Sequence, residues 1–409
     1  MRLVHLADLH IGFRQYHRLT QRGMNQREAD IEGSFQRAVD RVIGLAPDLV
    51  LIGGDIFHTV RPMNPAIVHA FTHFARMRRE LPGVPIIMVA GNHDQPRSTE
   101  TGSILGLFEE LEIDVAHAGP RKFVFPEHDL FVLAVPDLPG PRPEMLPTAG
   151  YRHSILLIHG EVEGMLPPAA HVERAALEIT RRELNAEKWS YIALGHYHVH
   201  HQIAANAYYS GSLDYTSTDP WSELREEQAL GLPGKGLIEY DLSTAKHSFH
   251  HLECSRCVLD LPPLRALGKS PTELDAEIKR RLDAIPGGID NMIVRLIVQD
   301  VPRHIARELN HRQLREYKRR AFHLNVDLRR PVLTRTASGG APGRRPMLVD
   351  VLRTYLGRRP LDSALNRDEL IKLGVQYLDQ ADASAVGVHF LELGGASPVG
   401  SADEETHAL

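Results

Sequence analysis

Short apolar runs and amphipathic stretches take turns along the first half of the chain. "RLVHLA" (2–7), "DLVLIGG" (48–54) and "VPIIMVAG" (84–91) read as buried strands, with "LFVLAVP" (130–136), "SILLIHG" (154–160) and "YIALGH" (191–196) as further ones. Between them, 30–46 sets Phe35, Val39 and Val42 on one face at helical spacing, and 64–81 and 103–113 predict two more helices. Strands alternating with helices predict α/β layers around a central sheet.

Polar residues interrupt this pattern at recurrent places. Asp8 and His10, Asp55, Asn92 and His93, His159, and His196 and His198 all follow predicted strands. In open α/β folds, sites assemble where the carboxyl ends of strands and their loops converge. Five distant segments delivering oxygen or imidazole to equivalent positions point to one site.

The pattern changes near residue 254. Strands are expected at 257–264, 291–299 and 321–330, and helices at 270–288 and 303–320. The first of these helices has Ser270 as N-cap, Pro271 at N1, Glu273 closing a capping box and Gly287 as terminator. The chain then divides into 1–253, a small α+β domain at 254–333, a Gly/Pro-rich linker at 334–346, a helical segment at 347–393 and a tail of disordered composition at 394–409. Two short helices, 347–357 and 366–380, bury little alone and are expected to dock on a partner.

Composition narrows the reading further. The net charge of −5 excludes a globally basic nucleic-acid binder, so any such contact must be local. Nine Arg or Lys against three acids in 303–330 supply a local patch. The 24 histidines are roughly two to three times an ordinary share, so position and spacing must decide which ones matter. No apolar run approaches a membrane span, and two cysteines without a secretory signal fit a reducing cytoplasm. "HHLECSRC" (250–257), with a lone C-x-x-C, reads as structural, and "GLPGKG" (231–236) lacks phosphate-loop spacing.

The donor set is Asp8-x-His10, Gly53-Gly54-Asp55, Gly91-Asn92-His93-Asp94, His159-Gly160 and Gly195-His196-x-His198. Carboxylate, amide and imidazole without thiolate suit divalent ions such as Mn²⁺, Fe²⁺ or Zn²⁺ in a reactive site. Seven donors exceed what one ion with open positions needs, and suit two ions sharing a carboxylate. His196 and His198 share parity at a strand end; His200 and His201 read as bystanders. Asp94 either orients His93 or caps the next helix.

These five motifs, in this order, resemble the calcineurin-like metallophosphoesterase superfamily. "HLADLHIGFRQY", "GGDIFHTVRP" and "YYSGSLDYTS" narrow the resemblance to SbcD-type nucleases of DNA double-strand-break repair, over residues 1–245 and by layout beyond. The resemblance implies a two-sheet sandwich flanked by helices, a small capping domain and a C-terminal helical segment that docks an SbcC-like coiled-coil ATPase. It implies one ion on Asp8, His10, Asp55 and His198 and a second on Asp55, Asn92, His159 and His196, with Mn²⁺ preferred. His93 would assist at the scissile phosphate and His58 would lie beside the DNA.

The same resemblance implies a homodimer through helices 64–81 and 103–113 and a cytoplasmic, nucleoid-associated exonuclease and endonuclease. Arg315, Lys318, Arg319 and Arg320 are the expected DNA-backbone contacts. Two rivals stand beside this reading. One is a small-molecule phosphodiesterase or phosphatase, which needs neither the basic patch nor the terminal helices. The other is a non-catalytic DNA-end-binding scaffold, against which the complete donor set counts.

Overall fold

The computed structural model describes residues 1–96, 102–140, 143–165, 174–331, 348–358 and 366–378. The expected linker (334–346), the tail (394–409) and much of the segment 347–393 lie outside the described residues. Met1–Val332 forms one compact unit and Leu333–Leu409 a second.

The chain first lays down β1 (Arg2–Leu6), β2 (Leu49–Ile52), β3 (Ile86–Val89) and β4 (Asp114–Ala116), with α1 (Gln26–Leu45) and α2 (Asn64–Glu80) between them. Next come β5 (Arg121–Phe125), β6 (Leu130–Val135) and β7 (His153–His159), then the short pair β8 (Glu161–Val162) and β9 (Glu178–Ile179). β10 (Tyr191–Gly195), β11 (His201–Ala204) and β12 (Ala207–Tyr209) follow. α3 (Pro220–Ala229) leads into the hairpin of β13 (Gly236–Asp241) and β14 (Lys246–His251).

Two six-stranded sheets result, in the orders β14-β13-β1-β2-β3-β4 and β11-β12-β10-β7-β6-β5. Leu3, Leu49, Leu51, Ile87 and Val89 of the first sheet meet Leu130, Val132, Ile155, Leu157 and Tyr191 of the second between the layers. The alternate residues Val4, Leu6, Val50 and Ile52 face outward onto Phe35, Val39 and Val42 of α1 and Phe74 and Met77 of α2. Covering on both faces explains why these strands read as unbroken apolar runs.

Several elements differ from expectation. α1 begins at Gln26, four residues early, because the Asn25 side chain caps it by accepting the N–H groups of Arg27 and Glu28. The helix expected at 103–113 is a 3₁₀ helix, Ile104–Leu111, started by Ser103. Phe74, Leu105 and Phe108, on the elements expected to form a dimer contact, are buried in the core, and Ile67, Phe71 and Leu111 pack against it. The exposed apolar residues of that region are Met63 and Val68.

The small domain contains β15 (Val258–Arg265), α4 (Pro271–Asp283), β16 (Ile293–Gln299), α5 (Arg303–Glu308), α6 (His311–Arg320) and β17 (His323–Leu328). Its three strands run parallel, so two helical crossovers build the domain expected as α+β. The predicted capping box at Ser270 and Glu273 is present, but α4 stops at Asp283, before Gly287. The single helix expected at 303–320 is two, because Leu309 is extended and Asn310 caps a new helix at Gln313. The domain has its own core, centred on Leu274, Ile278, Leu282, Val294 and Leu296.

This domain rests on the sandwich through Phe322, Ile293 and Val258 against Tyr215 and Trp221. Arg18, from the loop after β1, donates to the carbonyls of Arg319, Ala321 and Phe322, satisfying groups left open where α6 ends. In the second unit, α7 (Leu348–Arg358) packs Leu352 on Gly374 of the helix at 367–378, where a Cβ would lie 2.8 Å from Leu352 Cδ2. Leu348, Val351, Tyr355, Leu373 and Tyr377 remain exposed on this pair. No helix among the described residues is long and apolar enough to cross a membrane.

Candidate metal centre

Parallel pairing aligns the carboxyl ends of β1, β2 and β3 in one sheet and of β7 and β10 in the other. Asp8, Asp55 and Asn92 follow the first three ends, His159 closes β7, and His196 follows β10. The chain turns sharply at each end. Asp8, His10, Asp55 and His196 hold positive φ angles of 53°, 45°, 51° and 107°. Such backbone costs roughly 1–3 kcal/mol per residue and collects where a site over-determines it. Gly91 and Gly195 are required by closeness: a Cβ would lie 2.1 Å from Asp55 Oδ1 at the first and 1.9 Å from the Gly53 carbonyl at the second.

The donors meet in two overlapping groups. Asp8, His10 and His198 bring ligand atoms within 4.8 Å of one another, and so do Asp8, Asp55 and His159. Asp55 Oδ2 lies 3.6 Å from His10 Nε2 and 3.7 Å from His159 Nε2, between the two groups. Asn92 Oδ1 lies 3.1 Å from His159 Nε2 and 3.2 Å from His196 Nδ1. Asp8 (0% exposed), Asp55 (2%), His10 (1%) and His159 (0%) are buried.

These residues fit a cation. His10 Nε2 and His198 Nε2 face each other at 3.0 Å, close enough for both to reach one ion. The Nε2 atom of His196 is buried without a hydrogen-bond partner among the described residues. His159 donates Nδ1–H to the Gly53 carbonyl at 2.7 Å, leaving Nε2 as the ligating lone pair. Burial pushes the carboxyls of Asp8 and Asp55 up to about 6 and the imidazoles of His10 and His196 well below their usual range. A positive charge among them would offset the burial cost of the carboxylates, and imidazoles held neutral keep their lone pairs free for it.

His93 and His58 line the same space. His93 donates its backbone N–H to Asp55 Oδ1 (3.0 Å), and its Nδ1–H reaches the His58 carbonyl (2.8 Å). The rings of His58 and His93 stack at 5.1 Å, and burial holds the His58 imidazole down at about 4. His10, His58 and His93 also satisfy the spacing for an ion. That trio lacks a carboxylate; His10 faces His58 through Nδ1, at 3.4 Å, while its Nε2 faces His198 and Asp55.

Asp94 neither caps a helix nor orients His93. Its carboxylate accepts the N–H groups of Ile56, Phe57 and Gly91, each at 3.1 Å, and so ties the loops after β2 and β3 together.

His196 and His198 converge by a different route from strand parity. β10 ends at Gly195, and a turn brings both rings in. His200 stacks on Phe249 (4.6 Å) and His247 (5.1 Å), and His201 opens β11. Cys254 and Cys257 are free, and no metal-compatible group among the described residues contains them.

Residues 1–223 match the family model for calcineurin-like phosphoesterases. The chain belongs to that family. This phosphoesterase is also 27% identical over 258 residues to the DNA double-strand break repair protein Mre11 of Methanococcus maripaludis, a match covering 59% of the chain and 63% of the relative. The Mre11 protein of Methanocaldococcus jannaschii is 27% identical over 254 residues, with the same two shares. That of Sulfurisphaera tokodaii is 26% identical over 249 residues, covering 59% of each. The match thus spans about three-fifths of these relatives' length.

Sequence reasoning misses two residues beside the centre. Glu223 Oε1 lies 3.5 Å from His198 Nδ1, and the buried Lys235 ammonium lies 2.8 Å from the His198 carbonyl. Burial works against charge on His198, but the Glu223 carboxylate outweighs it and holds the imidazole above its usual value. Asp219-Pro220 is the one local signal nearby, since Pro at the first position of a helix marks the start of α3.

Proposed function

We propose that this phosphoesterase is a two-metal DNA nuclease, an exonuclease and endonuclease acting at DNA ends in double-strand-break repair. The observation that carries the reading is the convergence of donors from five strand ends into two groups that share Asp8, with Asp55 Oδ2 lying between His10 and His159 at 3.6 and 3.7 Å. Asp8, His10, Asp55 and His198 would hold one ion and Asp55, Asn92, His159 and His196 the other. Mn²⁺ suits this mixed oxygen and imidazole set. When bound, such a pair acidifies a water and stabilises charge on the oxygens of the scissile phosphate.

The chain's own groups do the rest. The Nδ1–H bond of His93 to the His58 carbonyl orients the ring, and protonated on Nε2 as an imidazolium it would pass that proton to the leaving oxygen. His58, stacked on His93 at the rim, would touch the nucleic acid. Burial of the carboxylates keeps bulk water from the reacting groups.

DNA as the substrate is supported by the names of the relatives and by the surface of α6. Arg312, Arg315, Glu316, Lys318 and Arg319 line a groove of about 570 Å³ there. Among the described residues Arg315 and Lys318 have no ion-pair partner, whereas Arg320 is held by Asp290 at 2.8 Å. The exposed apolar side of the α7 pair suits a coiled-coil ATPase of SbcC type, and Met63 and Val68 suit a homodimer contact. The site of action would be the cytoplasm, at the nucleoid.

The test is a Mn²⁺-dependent assay on linear duplex and hairpin DNA with the full chain and its His93→Ala variant. Cleavage should fall by about 10²–10⁴-fold in the variant, with Mn²⁺ binding retained. Intact DNA alongside rapid hydrolysis of a small phosphodiester would favour a small-molecule phosphodiesterase instead.

A further inference from the structure

The metal centre is supported from behind by a buried ion pair. One ring nitrogen of His198, Nε2, faces the centre, where His10 Nε2 is 3.0 Å away. The other, Nδ1, faces Glu223 Oε1 and Thr216 Oγ1, each at 3.5 Å. Glu223 Oε1 is buried and has no other partner among the described residues. Its second oxygen, Oε2, accepts from Lys235 Nζ at 2.5 Å. The same ammonium donates to the His198 carbonyl at 2.8 Å and pairs with Glu227 Oε1 at 3.0 Å. Lys235 therefore grips both the main chain of His198 and the carboxylate that faces its ring.

A neutral imidazole carries one proton. If Nε2 ligates an ion, the proton must sit on Nδ1, and among the described residues the only charged acceptor there is Glu223. A carboxylate behind a ligating histidine fixes ring and tautomer and raises the basicity of the ligating nitrogen. We propose that Glu223 is a positioning residue for the metal centre, orienting His198 by accepting its Nδ1–H, with Lys235 holding the carboxylate in place. The inference rests on the two-metal reading above and adds to it a residue outside the ligand set.

The helix that carries Glu223 also bears the small domain. Trp221 of α3 lies under the Arg295 guanidinium of β16 at 4.9 Å, Asp219 pairs with Arg295 at 3.2 Å, and Arg225 lies 3.7 Å from Asp260. The orientation of His198 is thus tied to the element on which the small domain sits.

Calorimetric titration of the full chain with Mn²⁺ tests this. The wild type should take up two ions. Glu223→Leu should weaken one of them by about 10–100-fold and leave the other unchanged. Glu227→Leu, which removes the other partner of Lys235 without touching His198, should lower thermal stability but leave both affinities intact. If Glu223→Leu strands the buried ammonium and fails to fold, Glu223→Leu/Lys235→Met removes the pair together and should show the same weakening of one ion. Wild-type affinity at both sites in the Glu223 variants would overturn the proposal. So would equal weakening by Glu227→Leu, which would reduce the effect to general destabilisation. A wild-type chain that binds no Mn²⁺ would instead sink the two-metal reading, and the proposal with it.

Discussion

Arg27 and Asp214 form a buried ion pair, with Nη2 2.9 Å from Oδ1 and both residues 1% exposed. The pair fastens the first turn of α1 to the loop that follows β12. Ser34 Oγ donates to the other oxygen of Asp214 at 2.6 Å, and Arg27 also reaches Asp30 and the Tyr215 carbonyl. Removing one partner from a buried pair leaves an uncompensated charge, which costs on the order of 3–5 kcal/mol. Asp214→Ala should lose about that much in urea unfolding. An Arg27→Met/Asp214→Leu double variant should lose clearly less.

Legibility from sequence followed burial and distance along the chain. Asp8, Asp55, Asn92, His159 and His196 stood out because each interrupts an apolar run where that run ends, a local signal. The strands β1, β2, β3, β6, β7 and β10 were visible for the related reason that both their faces are covered. β14, "KHSFHH", is half-exposed at a sheet edge and gave no usable alternation. Glu223 and Lys235 were hidden because their role depends on a contact with His198 that only the folded chain makes. The break between α5 and α6 was concealed by an unbroken run of helix formers, although Asn310 marks it once its cap is known.

His5 carries an acid sensitivity of the fold. It is fully buried between the sheets, with Nδ1 3.1 Å from the Tyr191 hydroxyl, and burial together with His200 and His247 pushes its imidazole down to about 3. The unfolded chain protonates this ring near 6.5, so between pH 6.5 and 3 the unfolded state binds the extra proton. His5 therefore contributes stability that is complete above 6.5 and drains as pH falls toward 3. Its slope is at most about 1.4 kcal/mol per pH unit. Urea midpoints of chelator-treated protein should fall over that window, and His5→Leu should flatten the curve. An unchanged slope in His5→Leu would mean that His5 does not titrate on unfolding.

On the two-metal reading, Asp55 should couple the ions. It lies between His10 and His159, and its Oδ1 accepts the His93 N–H. Asp55→Asn keeps an acceptor for that N–H while removing the shared negative charge. Mn²⁺ titration should show both affinities reduced, on the order of 100-fold or more, since the bridging ligand serves both ions. Asn92→Ala should weaken one ion and spare the other. Retention of one tight ion in Asp55→Asn would show that the carboxylate does not bridge.

The basic helix makes the sharpest forecast about DNA. For every phosphate deprived of its cationic partner, the slope of log affinity against log salt should drop by about 0.9 on duplex. Arg315 and Lys318 lack ion-pair partners among the described residues, so their cationic heads are available to phosphate without breaking anything first. Arg320 is engaged by both oxygens of Asp290, at 3.1 and 2.8 Å, and would have to give up that pair to reach DNA. Arg315→Ala/Lys318→Ala should therefore reduce the slope by roughly two units and weaken binding to every duplex sequence alike. Arg320→Ala should leave the slope unchanged. Fluorescence anisotropy on a labelled duplex across a salt series reads both. If the double variant kept the wild-type slope, α6 would be a solvated face and the DNA path would lie elsewhere.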